Sequence, residues 1–109
     1  MIEKLILTQV SESGQSVTFI EPLEITYCLK DDPDYANIEF DFGMNYEILI
    51  TNSWLDLDKI PNLKDKIKRI VTFDIIHAFF HPNQDPNYEP LHWAILGWLQ
   101  DRVVLEEKD

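Results

Sequence analysis

Apolar and polar residues trade places at every step from Leu23 to Lys30. Leu23, Ile25, Tyr27 and Leu29 fall on one side, and Glu24, Thr26, Cys28 and Lys30 on the other. That period of two predicts a β-strand with one covered and one wet face. After Asp31–Asp32–Pro33–Asp34, a turn by composition, the pattern returns with Ile38, Phe40 and Phe42 inward and Asn37, Glu39 and Asp41 outward. So short a connection joins antiparallel strands, because a parallel pair needs a crossover of roughly a dozen residues or more. This stretch commits the first half of the chain to an antiparallel meander.

The flanking residues extend it. Residues 2–10, rich in Ile, Leu and Val, predict a strand, and Ser11 to Gln15 with Gly14 supplies turn chemistry. Ser16 to Ile20 then forms the second arm of a hairpin. Pro22 has no N–H to give to a ladder, so a strand boundary or an edge is expected at Glu21–Pro22. Gly43 to Asn45 turns the chain again, and Tyr46 to Thr51 completes four to five strands. The outer face of this meander would show Glu24, Glu39, Asp41 and Glu47.

The second half changes period. Ser53 to Pro61 reads either as a short helical turn or as an irregular link, and Asn62 is placed to cap a helix. At 100° per residue, Leu63, Ile67, Ile70, Val71 and Ala78 share one face. Asp74 lies in the middle of that stripe, with His81 beside it and His77 at its edge. Lys64, Asp65, Lys68 and Arg69 occupy the opposite side early on, and Ile76, Phe79 and Phe80 replace them later. The helix should therefore begin amphipathic and end buried on most sides. Ile70 to Ile76 is rich in β-branched and aromatic residues, so a strand competes there.

Residues 82–90 form a proline-rich loop, and a final helix is expected from Pro90 to about Leu105. Its core face would be Leu91, Ile95, Trp98, Leu99 and Leu105 with Arg102 at the centre, and its wetter side Trp93, Gly97 and Val104. Asp74 and Arg102 are then expected to pair, directly or through His77, across an antiparallel helical hairpin, since neither charge is cheap to bury alone. Strands first and helices after predict one α+β domain over 1–109, with two helices packed on one sheet face.

Composition bears on function mainly through charge. Residues 1–58 carry twelve acidic and two basic side chains, net −10, and the whole chain is −11. Residues 59–69 are the exception, with five basic side chains against Asp65. Such a surface repels nucleic-acid phosphates and anionic membranes and suits a basic protein partner. The chain opens on alternating strand residues with no basic n-region, which reads as cytosolic. Cys28 is the single cysteine, and its acidic neighbours argue against a nucleophilic role.

Catalytic motifs are not evident. Gly14, Gly43 and Gly97 are too widely separated for a phosphate-binding loop, and no G-x-S-x-G elbow occurs. The sharpest chemical pattern is H-A-F-F-H, which sets His77 and His81 one helical turn apart. With Asp74 a turn earlier and His92 after the loop, it would give a three-histidine, one-carboxylate set suited to zinc. The zinc-protease helix has similar spacing but needs Glu after its first histidine, where Ala78 stands here, so no activity carries over.

These residues favour a non-enzymatic, acidic binding module of the inhibitor, immunity-protein or antitoxin kind. It would engage a basic protein through Glu24, Glu39, Asp41 and Glu47, with Tyr88 and Trp93 as aromatic anchors. A zinc-binding protein or metalloenzyme and a homo-oligomer built on the Trp93, Gly97 and Val104 face are the alternatives.

Overall fold

A computed structural model describes residues 2–29, 35–41, 43–49, 63–81 and 96–108 of the chain. The architecture is α+β. Strands β1 (Ile2–Glu12), β2 (Gln15–Leu29), β3 (Tyr35–Phe40) and β4 (Asn45–Leu49) lie side by side in that order. Helix α1 (Leu63–Phe80) follows, and strand β5 (Val103–Glu107) joins the sheet by pairing with β2.

The hairpin between β1 and β2 turns on Ser13 and Gly14, both with positive φ (53° and 82°). A two-residue turn of this kind follows the right-handed twist of the strands it joins, and it favours glycine at one position. A Cβ on Gly14 would stand 2.7 Å from the Lys108 carbonyl oxygen, and the Gly14 carbonyl itself accepts the Lys108 N–H at 2.7 Å.

Two compact units emerge from the contacts. The first contains Met1–Ile6 and Leu23–Ile70. Its sheet pairs Ile25 with Phe40, Tyr27 with Ile38, and Ile38 with Tyr46, all antiparallel. Leu23, Ile25, Tyr27, Ala36, Ile38, Phe40 and Ile48 are buried on one side of it, as are Ile67 and Ile70 from the first turns of α1. Lys64, Asp65, Lys68 and Arg69 on the same turns face solvent, so the helix covers the sheet with a genuine apolar stripe. Tyr27 donates to Glu3 Oε2 at 2.6 Å. Burial first, and then the bonded Glu3 carboxylate, hold that phenol above its ordinary pKa, so it remains a donor.

The second unit contains Leu7–Pro22 and Val71–Asp109. Its core is Leu7, Val10, Val17 and Phe19 from the hairpin, Val71, Ile75, Ile76 and Ala78 from α1, and Leu99. From Ile70 to His81 no helical residue is exposed, as the loss of amphipathicity in the sequence predicts. The β-branched run Ile70–Ile76 is helix, so its strand propensity yields to packing.

Two sequence expectations need correction. Strand β2 does not end at Glu21–Pro22 but continues through it, 15 residues from Gln15 to Leu29. It pairs with β5 over Gln15–Phe19 and with β3 over Ile25–Leu29. Pro22, exposed, falls in the interval where the partner changes, and there a missing N–H costs least.

The second correction concerns the final helix. Residues 96–99 are helical, Gln100 and Asp101 turn the chain, and Val103–Glu107 is a strand, while residues 90–95 of the expected helix lie outside the described residues. Val104 lies opposite Thr18 and Leu105 opposite Val17. Adjacent β-branched valines with an open ladder beside them favour this over more helix. Arg102 consequently points to solvent, where its Nη1 donates to the Trp98 carbonyl oxygen at 2.9 Å and caps the end of the helical residues. Leu105 is 46% exposed and Trp98 40% exposed, while Leu99 from the same expected face is buried.

Burial along β1 shows one further feature. Leu5 and Leu7 are buried, then Val10, so the inward phase slips by one residue between Leu7 and Val10. One extra residue in a strand, a β-bulge, produces such a slip.

Candidate functional site

The outward side chains of β2, β3 and β4 form the acidic face that the alternation predicts. Register sets Thr26 opposite Glu39, Cys28 opposite Asn37, Asn37 opposite Glu47, and Glu39 opposite Asn45. The Asp41 N–H donates to the Glu24 carbonyl oxygen at 2.7 Å, which brings these two acidic residues together at the end of the ladder. Glu39, Asp41 and Glu47 are exposed and Glu24 is half-buried. Between the strands lies a depression of about 100 Å3 lined by Glu24, Thr26, Glu39, Phe40 and Asp41.

Like charges placed side by side on a sheet destabilise it. Lys4 on β1 relieves one of them, with its Nζ 2.9 Å from Glu24 Oε1. Glu39 and Asp41 have no cationic partner among the described residues. The face thus holds concentrated, accessible negative potential, and chemically it can accept hydrogen bonds from a guanidinium or an ammonium group. Sequence alone does not mark Lys4, although the alternation of residues 2–10 sets it on the outward side.

A different set of groups surrounds the end of α1. Asp74 is 1% exposed, and both of its carboxylate oxygens lack a hydrogen-bond partner. Burial alone lifts its pKa to about 8. It does not pair with Arg102, because the chain leaves the helix before Arg102 and turns that side chain outward.

His77 stacks on Phe73 with ring centroids 4.0 Å apart, and His81 stands 5.1 Å from His77. His81 Nε2 lies 2.8 Å from Gln15 Oε1, and Gln15 Nε2 lies 2.6 Å from Glu107 Oε2. Gln15 is one of two buried polar residues among those described. Its role is invisible in the sequence, where it reads as a turn residue; its partners are 66 and 92 positions away.

Among the described residues no three His, Cys, Asp or Glu side chains are grouped to hold a metal ion, so Asp74, His77 and His81 do not form the three-ligand part of the expected set. His92, Tyr88 and Trp93 lie outside the described residues. Gly97 sits on the helical turn at 96–99 and Val104 on β5, so these two do not share a helix face. No helix among the described residues is long and apolar enough to cross a membrane.

The fold and this face together define a small α+β protein with a strongly acidic sheet surface. Compared with protein-family models, curated proteins and solved structures, the chain matches none of them.

Proposed function

We propose that the protein works by binding rather than by catalysis, and that it engages a basic protein in the cytosol through the outward face of β2, β3 and β4. The inhibitors, immunity proteins and antitoxins that neutralise a basic partner act by the same physics. The observation that carries this reading is the juxtaposition of Glu24, Glu39 and Asp41 around one depression, with Glu47 on the neighbouring strand. Opposite potentials speed encounter and fix orientation, and a partner arginine entering the depression would find carboxylates on both strands. The net charge of −11 extends the attraction beyond the contact itself.

The test is co-purification from native lysate with the wild-type chain and with the triple variant Glu24→Lys, Glu39→Lys, Asp41→Lys. A basic protein held stoichiometrically by the wild type and lost by the folded variant is the expected result. A partner retained equally by both would place the interface elsewhere.

A further inference from the structure

The hydrogen bonds at the end of α1 fix the protonation of one imidazole. The Glu107 carboxylate only accepts, so the group facing it at 2.6 Å is the Gln15 amide NH2. The Gln15 carbonyl oxygen is therefore the atom facing His81, and His81 Nε2 carries the proton of that 2.8 Å bond. In neutral His81 the lone pair then resides on Nδ1. The His81 N–H continues the helical ladder by donating to the His77 carbonyl oxygen at 2.9 Å, so the two histidines keep their one-turn relation.

This is the arrangement that prepares a histidine to ligate a metal. Ligating imidazoles donate their other N–H to a carbonyl or carboxylate, which sets the tautomer and the ring orientation. Here a buried glutamine does so, and a carboxylate backs it. The second ring is at a suitable separation. An ion about 2.0–2.1 Å from one nitrogen of each ring lies about 3.2 Å from each centroid. Where those nitrogens face one point, centroids 5.1 Å apart subtend about 105° at the ion, close to the tetrahedral angle. Both residues are half-buried, and His77 Nδ1 is itself buried without a hydrogen-bond partner, a nitrogen that a bound ion would satisfy.

The geometry points to a two-imidazole site at the end of α1, in which His77 and His81 Nδ1 bind one divalent transition ion, with Gln15 and Glu107 as the groups that orient His81. The ion class is one that prefers imidazole nitrogen, zinc or copper rather than magnesium or calcium. Asp74 is not part of the site, in contrast to the set expected from the sequence. The inference is independent of the acidic face.

Untagged protein titrated with zinc or copper salt, in buffer holding excess magnesium to occupy surface carboxylates, tests it. One equivalent should bind at micromolar concentration. Binding should be lost in His77→Asn and in His81→Asn, and weakened about 10–100-fold in Gln15→Leu. In the wild-type chain, substoichiometric copper should broaden the ring protons of His77 and His81 first, a readout that does not depend on a variant folding. No binding at these concentrations, unchanged affinity in the histidine or Gln15 variants, or early broadening that spares both rings would overturn the site.

Discussion

Asp74 is the residue whose surroundings suit it least, a carboxyl group buried on an apolar stripe with no hydrogen bond to either oxygen. Its pKa of about 8 in the fold stands against 3.8 in the unfolded chain, so the folded state binds the extra proton between those values. Its contribution is then most favourable below pH 4, declines by about 1.4 kcal/mol per unit as pH rises to 8, and is flat above that. Asp74→Asn removes the titration at nearly constant volume. The variant should match the wild type at pH 4 and exceed it by up to about 4 kcal/mol at pH 7, measured by urea denaturation across the range. A difference independent of pH would show that Asp74 is solvated. Gly14 marks the other constraint at this scale. Its φ of 82°, and a Lys108 carbonyl oxygen only 2.7 Å from where a Cβ would stand, leave no room for a side chain. Gly14→Ala should cost about 1–2 kcal/mol or more in the same assay, and an unchanged midpoint would contradict the turn geometry.

Elements with a clean period were legible, and those decided by distant partners were not. The alternation of Leu23–Tyr27 and Asn37–Asp41 located β2, β3 and the acidic face, because each side chain's direction in a strand follows from its parity. Leu29, expected inward, is 41% exposed, and Lys30 and Phe42 lie outside the described residues. The apolar stripe of α1 was equally plain, and so was its passage from half-covered to buried. Strand β5 escaped because Leu105 and Arg102 fit a helical phase as well as a strand phase, and only the open ladder of β2 decides between them. Pro22 misled for a related reason: it forbids a hydrogen bond, not a strand, and its position where β2 changes partner makes the loss tolerable. The expected Asp74–Arg102 pair failed with the helix on which it depended. A proline scan tests the strand. The Ile20 to Arg102 and Lys108 to Gly14 bonds set the alternation, which aims the Val104 N–H at β2 and the Leu105 N–H away from it. Val104→Pro should therefore cost about 3 kcal/mol and Leu105→Pro distinctly less, by thermal or urea unfolding. Equal losses would favour a helix through residue 105.

For the whole molecule the governing quantity is charge. A net −11 raises self-repulsion and opposes compaction, which a chain of 109 residues tolerates when the charge serves recognition. The arrangement here is consistent with that use: Glu24 and Asp41 come together at the end of the ladder, Glu24 is paired with Lys4, and Glu39, Asp41 and Glu47 are exposed. Electrostatic recognition acts mostly on the association rate and is screened by salt, with a Debye length of about 10 Å at 0.1 M. The most direct measurement is the association rate with the co-purified partner by stopped flow, between low and physiological ionic strength, for the wild type and for the Glu24, Glu39, Asp41 reversal. The account predicts a wild-type rate that falls steeply with salt, and a variant rate at least tenfold lower at low salt with a flat or inverted dependence. Superimposable rates and slopes for the two proteins would contradict it.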